Sequence, residues 1–455
     1  AHENGLKVIM DLVVNHTSDQ HPWFLESQKS KDNPYRDYYL WEDASPNQMP
    51  NDWISFFGDS TWAYDEKTKQ AYFHVFAKEQ PDLNWKNPKV RQEIYDMIRW
   101  WLDLGIDGFR LDAISHIQKM PWNYKIKSWK GDGPWVPFMN VAGIETYMSD
   151  LKAIFDEYGA LTVGEASGVR SKQAPDWTDE AGYINMIFEL EHNVRKSNGN
   201  GQGSIYGYKK VIMRWQEDLL ERGWNALYIE NHDQPRSIDT FGDGSIESAK
   251  ALAVSYMLLR GTPFIYQGQE FGMTNFPFTD AKQLRADEIK KKYEMLMTEL
   301  SANQALAEVT QNSREHSRTP MQWDNSKNAG FTSGQAWMEI NPNFSVISSR
   351  TNQELIELYK KLIELRHQEP AISEGSIKFH FKRHPQVLVY ERAEFLIIVN
   401  LADKKAHLDF TKLDSFTDSS AENSVINYQQ VLGSSNQKFQ EKMVLSAWEY
   451  RVYKK

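Results

Sequence analysis

The sequence predicts a parallel α/β fold followed by a separate β-sandwich, and three observations carry that prediction. Up to about residue 372, segments of strand length alternate with segments of helical period, a pattern typical of parallel sheets with right-handed crossovers. From about residue 373 the pattern changes to short alternating strands, at 377–381, 387–391, 395–401 and 443–452, which predicts a sandwich. Polar and ionisable residues follow several of the parallel strands, which predicts a site at one edge of the sheet.

Six parallel strands are predicted. The first, 6–14, is a nearly continuous apolar and β-branched run, as in a strand that is buried on both faces. The others are expected at 106–112, 161–165, 184–188, 225–230 and 264–267. Helices are expected where apolar residues recur with helical spacing before a glycine or a polar stop, at 87–105, 144–158, 246–260 and 355–366, and the end of another helix is expected at 215–222.

Two further segments differ from this alternation. Residues 17–87 lack a long helical period and are rich in proline, asparagine, aspartate and aromatic residues, which predicts a loop-rich inserted segment. Residues 280–318 are polar and charged, so we expect a surface helix and loop that face solvent.

The composition excludes several classes of function. The 52 basic and 62 acidic residues give a net charge of −10 without a basic block, so we expect no nucleic-acid partner. There is no run of about 18 apolar residues that could cross a bilayer, so we expect no membrane partner. Cysteine is absent, which removes thiolate chemistry and disulfides and predicts a cytoplasmic location.

The segment GFRLD at 108–112 carries the strongest chemical signal. Side chains alternate along a strand, so Arg110 and Asp112 point to one side, and a permanent cation beside a carboxylate favours its ionised form. In isolation a structural ion pair would look the same. However, four of the six strands end in such groups: Asn15 with His16, Arg110 with Asp112, Glu165, and His232 with Asp233.

Two working carboxylates are what glycoside transfer requires. One attacks the anomeric carbon, and the other donates and then removes a proton. A metal site is the rival use of histidine and aspartate, but the sequence has no HExxH spacing and no dense ligand cluster. We therefore expect neither a metal nor a cofactor in the chemistry.

These residues resemble those of the α-amylase superfamily, glycoside hydrolase family 13, and in particular its oligo-1,6-glucosidase and α-glucosidase branch. The motifs that carry the resemblance are DLVVNH at 11–16, QPDLN at 80–84, GFRLD at 108–112, VGE at 163–165, ENHD at 230–233 and RTPMQW at 318–323. The resemblance extends over essentially the whole chain.

The resemblance implies a TIM (β/α)₈ barrel that lacks its first two strands. The barrel would comprise 1–16 and 88–372, with a B domain inserted at 17–87 and a C-terminal β-sandwich at 373–455. We therefore expect an N-terminally truncated chain, whose missing segment could hold a structural calcium.

The resemblance also implies a role for each site residue. Asp112 would be the nucleophile, Glu165 the general acid/base and Asp233 the transition-state stabiliser. The sugar would be held by His16, Arg110, His232 and Arg318, with Arg318 closing the pocket around the non-reducing end.

The expected activity is that of a retaining exo-α-glucosidase acting on maltose and short malto-oligosaccharides, without an obligatory protein partner. The linkage prediction rests on Ala113, because relatives that cut α-1,6 bonds usually carry valine there, and alanine leaves room beside the reacting bond. Three alternatives stay open: an oligo-1,6-glucosidase or dextran glucosidase, a transferase or isomerase working through the same intermediate, and a non-catalytic scaffold. The three carboxylates disfavour the scaffold.

Overall fold

The computed structural model describes residues 1–127, 133–192, 203–413 and 428–455. The chain forms two compact units, Ala1–Leu190 with Glu221–Asn225, and Glu191–Leu220 with Ala226–Lys455. Within the described ranges, no helix combines the length and the apolar run that a membrane span requires.

The first unit is built on four parallel strands. Its elements are β1 (Ile9–Val13), α1 (Pro22–Ser27), β2 (Trp41–Asp43), β3 (Trp62–Asp65), β4 (Gln70–Phe73), α2 (Pro88–Asp103), β5 (Gly108–Asp112), α3 (Ile144–Tyr158), β6 (Leu161–Glu165), α4 (Ala174–Thr178) and β7 (Met186–Phe188). Strands β1, β5, β6 and β7 lie side by side in that order. The predicted parallel sheet is thus confirmed for this part of the chain.

The register of the first strands places the chemical residues together. Asp11 on β1 is the partner of Arg110 on β5, and Val13 is the partner of Asp112. Close pairing of β5 with β6 requires glycine at position 108, because a Cβ there would lie 1.8 Å from the carbonyl oxygen of Leu161.

Helix α2 begins and ends as predicted. The Asn87 side chain accepts a hydrogen bond from the backbone N–H of Lys89, which caps the helix, and Pro88 occupies the first helical position. One face is buried and consists of Val90, Ile94, Ile98 and Leu102. The apolar spacing in the sequence therefore identified both the helix and its inner face.

The segment between β1 and α2 contains a small antiparallel sheet in the order β2-β4-β3. An aromatic cluster packs against it, with Trp53, Trp62, Phe73 and Phe138 all buried. The predicted boundaries of an inserted domain, 17 and 87, stay a prediction.

The second unit contains two parallel strands, most of the remaining helices and the C-terminal sheets. Its elements are α5 (Ile205–Asp218), β8 (Asn225–Leu227), α6 (Ser237–Thr240), α7 (Ile246–Met257), β9 (Thr262–Pro263), α8 (Asp287–Leu296), α9 (Ala302–Thr310), α10 (Gln353–Gln368), α11 (Pro370–Ser373), β10 (Ile377–His380), β11 (Val387–Arg392), β12 (Phe395–Asn400), β13 (Ala406–Asp409), β14 (Gln429–Gly433), β15 (Lys442–Leu445) and β16 (Tyr450–Lys454).

Three strand predictions in this unit were wrong in their bounds. Strand β9 lies at Thr262–Pro263, directly before the predicted range 264–267. Strand β8 ends at Leu227, before the predicted end at residue 230. The predicted strand 443–452 is two strands, β15 and β16, separated by a turn in which Trp448 adopts a left-handed conformation with φ 53°.

The C-terminal sandwich is confirmed. A five-stranded antiparallel sheet in the order β10-β11-β12-β16-β14 stands beside the two-stranded sheet β13-β15. Strand β12 is buried along its whole length. Its residues Leu396 and Ile398 pack with the smaller sheet, whereas Phe395, Ile397 and Val399 belong to a large core shared with α7 and α10.

The polar stretch 280–318 is more structured than predicted. It forms two helices, α8 and α9, and their buried residues Ile289, Leu306 and Val309 make a core of their own with the preceding Leu284. The turn that follows, Arg314–Arg318, buries Glu315, His316 and Ser317. Charge content alone misled the prediction, because the few apolar residues are spaced to share one face.

Candidate active site

Arg110 joins three carboxylates on neighbouring strands in the first unit. It lies on β5, and its guanidinium Nη1 donates to Asp11 Oδ1 at 2.7 Å and also to Asp112 Oδ1. Its Nη2 donates to Glu165 Oε2 at the end of β6. The structure therefore brings together the predicted Arg110, Asp112 and Glu165 around one cation.

This guanidinium stays charged under all working conditions. Burial would lower the pKa of Arg110, but Glu165, Asp112 and Asp11 outweigh that effect and raise it above its ordinary value. The side chains of Arg110, Asp112 and Glu165 are 17%, 21% and 24% exposed. Enough of both carboxylates faces the solvent for a ligand to reach them.

Asp11 is the group at this cluster that the sequence analysis did not single out. It was noted only as the first residue of a motif, yet the pairing of β1 with β5 sets it opposite Arg110. The spacing of the residues could have identified Asp11. It lies two residues before Val13, the partner of Asp112, so the side chains of Asp11 and Val13 lie on the same face of the sheet.

His16 lies just beyond the end of β1 and is largely buried, with 8% of its surface exposed. Its ring contacts Phe76 edge-on, and its Nε2 lies 3.0 Å from Nε2 of Gln80. Burial lowers the pKa of His16 despite the nearby carboxylates of Asp82 and Asp112. The imidazole is therefore neutral near pH 7.

Ala113 follows β5 directly and is buried. Its backbone is left-handed, with φ 47° and ψ 29°, where the chain turns into the short helix Ile114–His116. A residue with a Cβ seldom adopts this conformation, and the conformational free-energy cost is highest for a β-branched residue. The sequence predicted the residue's importance from its size but not from its backbone.

Asp233 is the centre of a second charged group, which lies in the second unit. Its carboxylate accepts from Arg318 Nη2 at 2.5 Å and lies 3.2 Å from His232 Nε2. Arg318 Nε also donates to the His232 carbonyl oxygen at 2.8 Å, and Arg314 Nη1 stands 3.7 Å from Asp233. The structure thus brings together the predicted Asp233, His232 and Arg318.

The charge on Asp233 is strongly stabilised. Burial alone would raise the pKa of its carboxyl, but His232, Arg318 and Arg314 together hold it well below its usual range. Arg314 was not predicted as a site residue, because the whole polar stretch 280–318 was expected to face solvent. That both charged groups face one common site stays a prediction.

The buried ring of His316 holds the turn that carries Arg314 and Arg318 in place through two hydrogen bonds. The Nδ1 atom of His316 accepts from the backbone N–H of Phe276 at 3.1 Å, and its Nε2 donates to the carbonyl of Thr310 at 2.7 Å. Burial lowers the pKa of His316 to about 4. Protonation of His316 would add an N–H at Nδ1, which would face the backbone N–H of Phe276. His316 therefore holds the turn in place only while its ring is neutral.

We expect the His316→Gln variant to lose less stability than the wild type between pH 7 and pH 5. In the unfolded chain a histidine titrates near about pH 6.5, whereas His316 in the folded chain titrates near 4. The stability that neutral His316 provides is fully present above the unfolded value and falls as the pH drops toward the folded one. By pH 5 the loss is about 2 kcal/mol, at roughly 1.36 kcal/mol per pH unit.

Urea unfolding at pH 7 and pH 5 measures this difference. The matched control is His367→Gln, because His367 is exposed on α10 and should leave the pH dependence unchanged. An equal loss of stability in the wild type and in His316→Gln would contradict the assignment of a neutral ring to His316.

Comparisons with known proteins give the following matches. A family model described as the catalytic domain of α-amylase matches residues 1–375. An oligo-1,6-glucosidase of Parageobacillus thermoglucosidasius is 39% identical over 478 aligned positions, which cover 100% of this chain and 84% of that enzyme. An α-glucosidase of Pediococcus pentosaceus is 39% identical over 414 positions, covering 86% of this chain and 73% of that enzyme.

A solved structure is similar along the whole chain. The isomaltulose synthase SmuA from Protaminobacter rubrum superposes with a TM-score of 0.89 at 34% sequence identity, covering 100% of this chain and 84% of that one. Fold and sequence comparisons therefore agree with each other.

Proposed function

The chain belongs to the α-amylase family of glycoside hydrolases, and we propose that it is a retaining exo-α-glucosidase releasing glucose from maltose and short malto-oligosaccharides. Membership of this family gives it a TIM-barrel catalytic fold. The observation that carries the proposal is the single guanidinium of Arg110 that contacts both Asp112 and Glu165.

Two carboxylates held by one guanidinium suit a double-displacement reaction. Asp112 attacks the anomeric carbon and forms a glycosyl ester, while Glu165 donates a proton to the departing sugar oxygen. Glu165 then takes a proton from the incoming water, which attacks the same carbon and releases Asp112. Closely spaced carboxylates favour this retaining route over an inverting one, which needs room for a water between them.

The remaining site residues act on the bound sugar in this proposal. Asp233 stays ionised and offsets the positive charge that develops on the ring in the transition state. His16, His232 and Arg318 bind the hydroxyl groups of the glucose unit, and Arg318 limits the pocket to a chain end. Enzymes of this family need no cofactor for the catalytic steps.

The preference for α-1,4 bonds rests on Ala113. A methyl side chain beside the nucleophile leaves space for the second sugar that a valine would fill. An α-glucosidase is among the relatives, which agrees with this proposal. The second candidate is an oligo-1,6-glucosidase, and it is supported by the names of several relatives at 36–43% identity.

Glucose release from maltose and from isomaltose, measured side by side at equal enzyme concentration, separates the two candidates. We expect a higher kcat/KM on maltose. A higher kcat/KM on isomaltose would leave the catalytic residues in place and reject the argument from Ala113.

We expect the Ala113→Val variant to lower the ratio of maltose to isomaltose turnover severalfold. The added methyl groups crowd the space that a 1,4-linked sugar occupies. The same change also costs stability, because a β-branched side chain fits a left-handed backbone less well than alanine does. Relative kcat/KM on the two substrates, taken well below the melting temperature, is the measurement.

Ala113→Gly is the matched control for backbone effects. Glycine accepts φ 47° without strain and leaves the space open, so the preference for maltose should persist. If folded Ala113→Val keeps the wild-type ratio, side-chain volume at this position does not set the linkage.

Transfer to a sugar acceptor is a further capacity that the same intermediate allows. Water and a sugar hydroxyl compete for the glycosyl ester, and the similar structure SmuA is named an isomaltulose synthase. We propose hydrolysis as the main outcome and some transglycosylation at high maltose. Appearance of trisaccharide with rising maltose concentration would reveal it.

We also propose a cytoplasmic location. The supporting observation is the lack of cysteine in 455 residues, which suits a reducing compartment. Cell fractionation with an antibody to the chain tests it.

A further inference from the structure

The ring of His16 faces hydrogen-bond donors at both of its nitrogens. Asn15 Nδ2 lies 3.3 Å from His16 Nδ1, and Gln80 Nε2 lies 3.0 Å from His16 Nε2. A neutral imidazole has one nitrogen that accepts and one that donates. At one of the two ring nitrogens, the imidazole N–H must therefore face the NH₂ group of an amide. Which nitrogen this is depends on how the neighbouring groups orient Asn15 and Gln80.

Asn15 is locked in its orientation by a buried cation. Lys119 Nζ donates to Asn15 Oδ1 at 3.1 Å, and an ammonium can only donate. The lysine in turn forms an ion pair with Asp82, with Nζ 2.7 Å from Oδ2, and the side chains are 6% and 0% exposed. Turning the Asn15 amide over would set its NH₂ group against that cation, so Asn15 must present its NH₂ group to His16.

Gln80 is held far more weakly. Its Oε1 accepts one bond, from the backbone N–H of Ala77 at 3.3 Å. No charge fixes this amide among the contacts the structure gives it. Of the two amides that face the His16 ring, Gln80 is the one that can turn over or move aside.

We propose that Lys119, acting through Asn15, fixes His16 as the tautomer with a bare Nδ1 and a proton on Nε2. In that tautomer the Nε2–H faces the NH₂ group of Gln80, so two donors oppose each other. Gln80 therefore turns over or moves aside when a hydrogen-bond acceptor approaches Nε2. The incoming acceptor is a hydroxyl oxygen of the bound glucose unit, so this step rests on the proposed function. Lys119 and Asn15 are positioning residues, and the sugar touches neither of them.

The backbone around this relay is arranged to keep it rigid. The N–H of Leu83 donates to the Asn15 carbonyl at 2.9 Å, and Asp82 Oδ1 accepts from the N–H of Val75 at 3.0 Å. Asp82 thus holds Lys119 in place while the QPDLN segment that contains it also supplies Gln80. Burial lowers the pKa of His16, which agrees with a neutral ring.

A purely structural role for the Asp82–Lys119 pair makes a different prediction. In that case removal of the pair would loosen the segment but leave the proton on His16 where it was. The position of that proton is therefore the decisive readout. It can be measured on the enzyme without any sugar, so failure of the proposed function and failure of this inference are distinguishable.

The experiment is NMR of the full chain labelled with ¹⁵N-histidine, with His16 assigned by its loss in His16→Gln. We expect a pyridine-like signal for Nδ1 and a pyrrole-like signal for Nε2 in the wild type. Asn15→Asp replaces the donor by an acceptor of the same shape and should move a proton onto Nδ1. Asn123→Asp adds the same charge at an exposed position and should change nothing.

A second variant removes the lock itself. In the double variant Asp82→Asn, Lys119→Met no buried charge is left alone, and the Asn15 amide becomes free to turn over. We expect mixed tautomers of His16 and a kcat/KM about tenfold lower, equivalent to about 1.4 kcal/mol. A wild-type ring protonated at Nδ1, or a ring unchanged in both variants, would overturn the proposal.

Discussion

Glucose release should fall about ten-thousand-fold or more when Asp112 is replaced by alanine. Such a loss is roughly 5.4 kcal/mol of barrier at about 1.36 kcal/mol per factor of ten. Asp112 forms the covalent bond in the proposed reaction, and the neighbouring carboxylates Asp11 and Glu165 lie on other strands, so neither occupies the position from which Asp112 attacks. The measurement is turnover of maltose and of an aryl α-glucoside.

Azide turns this loss into a test of the role of Asp112. The alanine variant leaves a gap on the face from which Asp112 attacks, and azide in that gap should displace the aryl group in one step. One displacement inverts the anomeric carbon, so the product is the β-glucosyl azide. Asp96→Ala, on the exposed face of α2, is the control for loss of an aspartate. Appreciable maltose turnover by Asp112→Ala would remove the residue from its role.

Replacing Glu165 by alanine should slow maltose turnover about a thousandfold while sparing the first step on aryl glucosides. General acid help is worth about a hundred- to ten-thousand-fold, and a good aryl leaving group hardly needs it. Glycosyl-enzyme should then accumulate, because no base activates the water. Mass spectrometry of the intact chain, looking for an added glucosyl group, measures this.

The rescue product distinguishes Glu165 from Asp112. In Glu165→Ala, azide attacks the glycosyl ester formed on Asp112, so two inversions give the α-glucosyl azide. A β-azide from this variant would mean that the two carboxylates have been assigned the wrong way round. The free enzyme pairs Glu165 with Arg110, so we expect sugar binding to open this contact before Glu165 can carry a proton.

The parts of the fold that the sequence predicted well are those with a strong local period. Helices α2 and α3 carry apolar residues at helical spacing and end at glycine or just before it, so their bounds needed no tertiary information. Strand β9 was misplaced because a Gly-Thr-Pro sequence normally interrupts structure. Its two residues are strand only because they pair with β8.

The site was predictable in its charges but not in what orients them. Arg110, Asp112 and Glu165 are strand residues, and their grouping follows from strand order. Lys119 lies 37 residues after Asp82 in the printed sequence, and no periodicity connects the two. The left-handed backbone of Ala113 also has no signal in the sequence, because alanine is not one of the residue types that mark a turn.

Strand β12 is buried on both faces, because a different core packs against each of them. One face closes the small sandwich and the other completes the core that α7 and α10 share. The last eighty or so residues are therefore no detachable module that could be trimmed away or exchanged for the tail of a relative. A chimera that respects the architecture has to carry these helices along with the strands that cover them.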